Sequence, residues 1–393
     1  MKPMAARMES LPANFFAILE KRIAALQASG KGVIRLDVGS PDLPPPAYLQ
    51  AKLVQALASR ANHGYQPAGE PPELLEAWAL FYQRAFAVEL DPYTEVLPLI
   101  GSKEGIFHLT QVLVEAGDIV LTPDPGYMTY TRAARFAGGE PYLVPLLAQN
   151  QYLPDLESIP STVLKRAKIL WLNYPNNPTA ATANQDFFAQ AVDFARQHNL
   201  LLCHDLAYGL VTFDGQSAPS ILGIPGARDV AVEFNSLSKS HNMAGWRVGA
   251  MLGCSEAVRL LFKLKTNQDS GHFLPILQAA IEGMTGDLSW IAARNEAYRS
   301  RRDLVVPFLQ EMGLTTSPPQ ATIYVWAAIP KGWTSFEFSL ALLEQACVSL
   351  TPGTVFGPGG EGYIRIALTA PEERIAEALD RLKAALPVLR RQP

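Results

Sequence analysis

The chain has 393 residues, of which 48% are hydrophobic and 18% are charged, and its formal net charge at pH 7 is -4. This length suits one large domain and a smaller one, and the weak negative charge argues against a nucleic-acid partner. The sequence contains three cysteines without a CxxC pair, no signal-peptide pattern and no apolar run of membrane-spanning length. We therefore expect a cytoplasmic protein without a disulfide framework.

Short apolar runs alternate with helical patterns from residue 95 to residue 235. The runs are, in chain order, EVLPLI, DIVLTP, KILWLNY, LLCHD and DVAVEFN. Strands that alternate with helices in this way are typical of an α/β fold with a mostly parallel central sheet.

The pattern changes after residue 270. Two long helical patterns precede two short predicted strands, TIYVWAAI and GYIRIAL, and a last helix follows them. This order is typical of a smaller α+β domain. We predict a large domain of residues 46–285, and a small domain formed by residues 1–45 together with residues 286–393.

Candidate binding residues follow directly after the predicted strands, where ligands of α/β proteins bind. After EVLPLI, the turn GSKEG begins a helix at Ser102. Its free backbone N–H groups suit a phosphate, although a serine helix cap is the simpler alternative. Tyr127 follows the second apolar run and Asn177 follows the third. Both could also belong to ordinary turns.

A carboxylate, a phenol and a lysine follow the last two apolar runs. Asp205 ends LLCHD, Tyr208 lies three residues later, and Ser236 and Lys239 follow DVAVEFN. A carboxylate at the end of a buried strand is costly unless a cation meets it. With the phosphate-binding turn and the aromatic ring of Tyr127, these groups are the ones needed to hold pyridoxal 5′-phosphate.

Each of these residue types has a chemical reason in such a site. A lysine forms a Schiff base with the cofactor aldehyde, and an anionic carboxylate keeps the pyridine nitrogen protonated so that the ring withdraws electrons. Asn177 and Tyr208 would hydrogen-bond the phenolic oxygen of the ring. Arg247 and the neighbouring serines would bind the phosphate, and this cation would help to lower the pKa of Lys239.

Three other motifs suggest different chemistry, but each is incomplete. Residues 236–239 form S-x-x-K, the acyl-enzyme motif of β-lactamases and penicillin-binding proteins, but KTN at 265–267 lacks the glycine of the K-T-G motif that must accompany it. Residues 357–362 match G-x-G-x-x-G, but a strand pattern follows where a nucleotide site requires a helix. The six histidines have no zinc-ligand spacing, so we predict no metal site.

Several motifs in order resemble those of the fold-type I pyridoxal-phosphate aminotransferases. They are PNNPT at 175–179, the pair Asp205-x-x-Tyr208, SLSK followed by GWRVG, and YIRIAL at 363–368. The resemblance extends over nearly the whole chain. The stretches EVLPLIGSKEGI, PDPGY, SLSKSHNMAGWR and KTNQDSG look most like LL-diaminopimelate aminotransferase-type sequences.

This resemblance implies a role for each matching position around the cofactor. Lys239 is the Schiff-base lysine and proton shuttle, Asp205 the partner of the pyridine nitrogen, and Tyr127 the stacking ring. Asn177 and Tyr208 contact the phenolate oxygen. The residues implied in phosphate binding are Ser102, Lys103 through its backbone N–H, Ser236 and Arg247.

The resemblance also implies substrate contacts and a second subunit. Arg365 corresponds to the arginine that clamps the substrate α-carboxylate, with Asn177 and the backbone donor of Gly39 beside it. Tyr65 in GYQPAG corresponds to a tyrosine that reaches the phosphate bound to a neighbouring subunit, and Asn267 belongs to the same boundary. We therefore expect a homodimer with shared active sites.

Some positions depart from the family pattern. Ala180 stands where NPTG has glycine, Ala244 stands where the most similar sequences have threonine, and GEPPELLEAW lacks the arginine often found in LREA. None of these changes removes a catalytic group. They affect the expected substrate more than the expected reaction.

The expected function is transamination from an L-amino acid to a 2-oxo acid, with 2-oxoglutarate as the acceptor and LL-diaminopimelate as one candidate donor. Aspartate, alanine, methionine and aromatic amino acids remain alternative donors. A carbon–sulfur β-lyase uses the same cofactor and lysine, and it would release pyruvate and ammonia without an acceptor. The cofactor-binding half of a transcription regulator is a further alternative, but it needs an attached DNA-binding domain that we do not find.

Overall fold

The computed structural model describes residue 8 and residues 15–65 and 71–389 of the chain. The outer parts of the predicted small domain, 1–7, 9–14 and 390–393, lie outside the described residues. The same is true of residues 66–70, which include the end of the GYQPAG stretch.

The strands are short, as expected for an α/β protein, and the longest has seven residues. In chain order they are β1 (Ile34–Arg35), β2 (Val96–Leu99), β3 (Ile119–Asp124), β4 (Glu140–Pro145), β5 (Ala167–Asn173), β6 (Leu201–Asp205), β7 (Ala231–Ser236), β8 (Gly249–Gly253), β9 (Tyr324–Ala328), β10 (Val348–Ser349), β11 (Thr351–Pro352) and β12 (Tyr363–Ala367).

The α-helices connect these strands and cover the sheets. In chain order they are α1 (Phe15–Ala28), α2 (Ala47–Leu57), α3 (Pro72–Phe86), α4 (Ser102–Leu113), α5 (Thr129–Phe136), α6 (Ser161–Leu164), α7 (Gln185–His198), α8 (Ala227–Val230), α9 (Leu237–Ser240), α10 (Ser255–Lys265), α11 (Leu274–Thr285), α12 (Trp290–Glu311), α13 (Ser335–Ala346) and α14 (Glu372–Leu389).

A seven-stranded sheet forms the centre of the molecule, in the order β2-β8-β7-β6-β5-β3-β4. Strand β8 runs antiparallel to β2 and β7, and the other pairs are parallel. The predicted α/β fold with a mostly parallel central sheet is therefore confirmed. The carboxyl ends of β3, β5, β6 and β7 meet at one edge, which is where the sequence places the candidate site.

Both faces of the central sheet are buried under helices. In β5, Ile169 and Trp171 pack into one apolar cluster with residues of α4, α5 and α10. The alternate residues Leu170 and Leu172 pack into a second cluster with residues of α3, α7 and α11. Because successive side chains of a strand point to opposite faces, a strand covered on both sides is apolar throughout. This burial explains why KILWLNY has no polar alternation.

A second, smaller unit contains the antiparallel strands β11-β12-β9 and the parallel pair β1-β10. Its apolar cluster combines Ile34 and Leu36 from the beginning of the chain with Tyr298, Phe338 and Ile366 from the end. Helix α11 packs instead in the cluster of the large sheet. We therefore propose that residues 46–285 form a large domain, and that residues 1–45 together with residues 286–393 form a small domain.

The described part of the chain contains no helix that combines the length and the apolar character required to cross a membrane. Within those same residues, no three histidine, cysteine, aspartate or glutamate side chains are grouped so that they could hold a metal ion.

Candidate active site

A cavity of about 550 Å³ lies between the large sheet and the small unit. Eleven of the predicted site residues line it: Gly39, Ser102, Lys103, Tyr127, Asn177, Asp205, Tyr208, Ser236, Lys239, Arg247 and Arg365. A larger cavity of about 730 Å³ lies beside β2 and α10, but none of the predicted site residues line it. The smaller cavity is therefore the candidate active site, because it brings the predicted residues together, among them Lys239, the buried carboxylate of Asp205 and the guanidinium groups of Arg247 and Arg365.

One end of the cavity is built to receive an anion. Helix α4 begins at Ser102, so its first backbone N–H groups are free of intrahelical partners. The preceding Gly101 has a φ of 77°, and a Cβ there would lie 2.2 Å from Nη2 of Arg247. Arg247 donates at 3.4 Å to the hydroxyl of Ser238. A glycine is thus required for the guanidinium to approach this helix end.

Lys239 lies on the short helix α9, which directly follows strand β7. Ser236 caps this helix, since its hydroxyl accepts a hydrogen bond from the backbone N–H of Ser238 at 3.2 Å. The Lys239 amine donates to the carbonyl oxygen of Gly39. Burial, followed by the nearby charges of Arg365 and Arg247, lowers the pKa of Lys239 to about 7. A large fraction of this lysine is therefore neutral near neutral pH.

Asp205 is the last residue of β6, and its carboxylate is held by two donors. The hydroxyl of Tyr130 donates to Oδ2 at 2.8 Å, and the backbone N–H of Ala207 donates to Oδ1 at 3.1 Å. Burial raises the pKa of Asp205, and the hydrogen bond from Tyr130 opposes this rise. Tyr130 is fully buried and stacks on Trp171 at a centroid distance of 4.8 Å.

The sequence does not predict Tyr130 as a site residue, although it lies three positions after Tyr127. Its position on the apolar side of a short helix gives it the pattern of an ordinary core aromatic. Tyr127 precedes helix α5, which begins at Thr129, so helical spacing does not link the two tyrosines and the sequence gives no separate signal for Tyr130.

Arg365 occupies the opposite side of the cavity, on β12 of the small unit. Its guanidinium lies 4.0 Å from the ring centroid of Tyr324 and 4.7 Å from that of Phe356. One terminal nitrogen donates to Oδ1 of Asn177 at 2.8 Å. Its Nε is buried and has no hydrogen-bond partner within the described part of the chain. The other terminal nitrogen donates to the carbonyl oxygen of Asp37 at 3.1 Å, and a carboxylate could replace these acceptors of the terminal nitrogens.

Tyr208 and Tyr324 form a hydroxyl pair at 2.8 Å across the cavity. Burial raises the pKa of Tyr208 well above its usual range. Tyr324 is not predicted as a site residue, because in TIYVWAAI it reads as one aromatic in a buried strand. Gly39 also lies against it, since a Cβ there would be 2.3 Å from the Tyr324 hydroxyl. The predicted role of Gly39 was that of a backbone donor, whereas here its carbonyl accepts from Lys239.

Two predicted site residues do not line this cavity in their own chain. The Tyr65 side chain is 92% exposed. Asn267 is exposed, and its side chain donates to the carbonyl oxygen of Lys263 at 2.8 Å. Both are expected to act across a subunit boundary, and this expectation stays a prediction.

Known proteins of similar sequence identify the family of the chain. A family model described as aminotransferase class I and II matches residues 31–382 of the chain. The chain belongs to this aminotransferase family.

The aminotransferase also has close relatives over nearly its full length. It is 47% identical over 382 residues to the LL-diaminopimelate aminotransferase of Desulforudis audaxviator, which is 97% of each chain. Among solved structures, it is similar to apo-BacF from Bacillus subtilis, with a TM-score of 0.95, 37% identity and 98% and 99% of the two chains covered. It is also similar to a probable N-succinyldiaminopimelate aminotransferase from Thermus thermophilus, with a TM-score of 0.89, 38% identity and coverages of 95% and 100%.

The aminotransferase is a pyridoxal 5′-phosphate-dependent enzyme, like its family. The cavity fits this cofactor by its donor set. A helix N-terminus and Arg247 lie at the anion-binding end, Lys239 offers an amine that is about half neutral at pH 7, and Asp205 offers a buried carboxylate. When bound, the cofactor supplies an electron sink that stabilises negative charge at the substrate Cα.

Proposed function

We propose that this enzyme transfers an amino group from LL-diaminopimelate to 2-oxoglutarate. The high identity to LL-diaminopimelate aminotransferases over almost the whole chain supports this donor. The single observation that carries the reaction is the environment of Lys239. Its amine is buried, its pKa is lowered to about 7, and it lies in one cavity with Asp205 and Arg365.

Lys239 is proposed to do two things in this reaction. A neutral amine is needed both to bond covalently with the cofactor aldehyde and to accept a proton from the substrate Cα. A pKa of about 7 suits both roles at neutral pH, because a base works best when its pKa lies near the operating pH. The contact of Nζ with the Gly39 carbonyl orients the amine before substrate arrives.

Asp205 and the anion-binding end hold the cofactor in our proposal. The two donors that Tyr130 and Ala207 direct at the Asp205 oxygens favour its ionised form. That carboxylate pairs with the pyridine nitrogen and keeps it protonated. The backbone N–H groups at Ser102 and Lys103, together with Ser236 and Arg247, bind the phosphate. Tyr127 stacks on the ring.

Arg365 binds the α-carboxylate of the amino acid. Arg365 lines the cavity, and its terminal nitrogens donate to Oδ1 of Asn177 and to the carbonyl oxygen of Asp37, acceptors that the substrate carboxylate would replace. The stacked rings of Tyr324 and Phe356 restrict the guanidinium to one orientation. Fixing the carboxylate in this way orients the Cα–H bond of the substrate toward Lys239. The bound substrate also excludes water from the space between this bond and the amine. Asn177 and Tyr208 contact the phenolate oxygen of the cofactor once the substrate carboxylate has replaced Asn177 as the acceptor of Arg365.

The donor is tested by measuring glutamate formation from 2-oxoglutarate. The purified enzyme is supplied with LL-diaminopimelate or, in separate reactions, with N-succinyl-LL-diaminopimelate, aspartate, alanine, methionine or phenylalanine. We expect the largest kcat/KM with LL-diaminopimelate and no turnover by Lys239→Ala. A larger kcat/KM with another donor would refute the substrate assignment. In a separate reaction with an S-substituted cysteine and no acceptor, formation of pyruvate, ammonia and the released thiol would identify a β-lyase instead.

We also propose that the active enzyme is a homodimer. Tyr65 is 92% exposed, Tyr93 61%, Phe273 41% and Phe262 40%. Tyr93 and Phe262 line the larger cavity beside β2 and α10. Two large exposed apolar side chains at one cavity are typical of a surface that another chain covers. The predicted role of Tyr65 at a neighbouring subunit's phosphate also requires a second copy. The cytoplasmic location stays a prediction.

Subunit mixing tests whether Tyr65 serves the neighbouring site. Tyr65→Ala and Lys239→Ala each damage a site in a homodimer. In a mixed dimer, the chain with Lys239 receives Tyr65 from its partner, so one site is complete. We expect the mixture to be more active than either variant alone, and sedimentation velocity to give the mass of a dimer. A mixture that is no more active than Tyr65→Ala alone would refute the sharing of sites.

A further inference from the structure

Arg294, on helix α12, is a buried cation that the reaction described above does not use. Only 4% of the residue is exposed. No carboxylate bonds to it in the part of the chain that the structure describes. Burial lowers the pKa of Arg294 to about 10, so it still carries its charge at neutral pH. Burying a charge without a counter-charge is costly, and this cost calls for an explanation.

The guanidinium instead donates to three backbone carbonyls from two segments of the active site. One terminal nitrogen donates to the carbonyl oxygens of Lys239 at 2.5 Å and of Ser240 at 3.0 Å. The other donates at 2.8 Å to the carbonyl oxygen of Leu210, two residues after Tyr208. Its Nε donates to Oδ1 of Asn295 at 2.8 Å. Each of the three guanidinium nitrogens of Arg294 therefore has an acceptor, and four of its five N–H groups are used.

The neighbouring buried arginines of the same helix bind differently. Arg301 is paired with Asp42 at 2.8 Å, and Arg302 is paired with Asp214 and Asp303. Both are 5% exposed, so they are buried to the same degree as Arg294. These two have the carboxylate partners expected of buried cations, whereas Arg294 does not.

We propose that Arg294 is a positioning residue that fixes Lys239 relative to Tyr208 through the backbone of both segments. This inference rests on the proposed role of Lys239. Helix α9 has only four residues, from Leu237 to Ser240, and such a short helix is not stable by itself. Its last carbonyls have no intrahelical partner, and a cation at this end binds them and complements the helix dipole.

The position of Arg294 links the small unit to the catalytic lysine. Helix α12 contributes Tyr298 and Val305 to the apolar cluster of the small unit, while Lys239 and Leu210 belong to the segments that follow β7 and β6 of the large sheet. Any movement of α12 is therefore transmitted to the backbone of Lys239 and Ser240 through two hydrogen bonds, and to that of Leu210 through a third. No other residue within the described chain donates a side-chain hydrogen bond to the Lys239 carbonyl.

Arg294→Lys tests this inference, and Arg302→Lys is its matched control. Both changes keep a positive charge, in the same helix and at the same burial. The first readout is the rate at which the cofactor-free protein forms its covalent bond with pyridoxal 5′-phosphate, followed by absorbance. The second is the affinity for deoxypyridoxine 5′-phosphate, which lacks the aldehyde and cannot react with Lys239. Thermal unfolding of each cofactor-free variant reports its folded state.

For Arg294→Lys we expect the bond-forming rate and kcat to fall about 10- to 100-fold. The reason is that even a small displacement of the reacting Lys239 amine slows its reaction by this factor. The affinity for deoxypyridoxine 5′-phosphate and the KM for the amino donor should change by no more than about threefold. Arg302→Lys should keep both rates within about threefold of the unmodified enzyme. Equal losses of rate in the two variants, or equal losses of rate and analogue affinity in Arg294→Lys, would overturn the inference.

A second variant keeps the test decisive if Arg294→Lys does not fold. Asn295→Ala removes the acceptor of Arg294 Nε and the hydrogen bond that Asn295 donates to the Leu210 carbonyl at 3.0 Å. We expect the bond-forming rate to fall by about three- to tenfold with unchanged analogue affinity. A rate equal to that of the unmodified protein would overturn the inference. If Lys239→Ala still forms the covalent bond, the proposed function fails for a different and distinguishable reason.

Discussion

The lowered pKa of Lys239 gives a prediction that can be measured before any substrate is known. With a pKa of about 7, about half of the Lys239 amines are neutral at pH 7, compared with about 0.03% for a lysine at its ordinary value of 10.5. The cofactor-free protein should therefore bond to pyridoxal 5′-phosphate on the order of a thousand times faster than an exposed lysine of equal reactivity.

The pH dependence follows from the direction of the pKa change. Below pH 7 the Lys239 amine takes up a proton, so the rate of bond formation should fall about tenfold for each further pH unit. Above pH 7 the amine is neutral and the rate should become constant. Stopped-flow absorbance between pH 5 and pH 9 measures this profile. A rate that still rises about tenfold per pH unit up to pH 9, as for an amine with the ordinary pKa of 10.5, would refute the conclusion that burial controls this amine.

The same assay can separate burial from the nearby charges. Burial is the largest cause of the lowered pKa of Lys239, and the charge of Arg365 is the next. Arg365→Gln removes that charge, so the amine holds its proton more tightly and the midpoint should move to higher pH. Arg374→Gln is the control, because Arg374 is an exposed partner of Glu377 on α14. An equal midpoint in both variants would show that the charge of Arg365 has no effect.

Three further predictions concern single contacts. Tyr130→Phe removes the hydrogen bond to Asp205, so cofactor titration should show a loss of about 1.5–3 kcal/mol in binding, and unchanged affinity would contradict this role. Gly357→Ala places a Cβ 2.2 Å from Oδ1 of Asp124 at a φ of 122°. Chemical denaturation should therefore show a free energy of unfolding that is lower by about 1–3 kcal/mol. Ala180→Gly should stabilise the protein by up to about 1 kcal/mol in the same assay, because Ala180 has a φ of 61°.

The sequence predicts the large sheet and most of the cofactor site, because both depend on local patterns. Apolar runs such as KILWLNY correspond to strands, and the residues that follow them must meet at the carboxyl ends of a parallel sheet. Lys239 and Asp205 are therefore identifiable from chain order and side-chain chemistry. Arg365 is predictable only through the family resemblance, since nothing in YIRIAL indicates what its strand faces.

The contacts that hold these residues in place are not predictable from local patterns. Tyr130 and Asp205 are 75 residues apart in the chain, and Arg294 and Lys239 are 55 apart. Such pairs depend on how separate elements pack, which the period of apolar residues does not determine. Ala180 is a different case. Its departure from glycine is visible in the sequence, but the positive φ that makes it costly is visible only in the fold.

The pairing of β1 with β10 has a consequence for synthesis of the chain. Ile34 is matched with Val348, so the first strand has no partner until most of the protein has left the ribosome. The central sheet ends at Gly253 and can form earlier, because elements near the N-terminus fold first during synthesis. A nascent chain therefore assembles the lysine and carboxylate of the cofactor site before the strand that carries Arg365. The ability to take up cofactor should precede the ability to hold an amino acid.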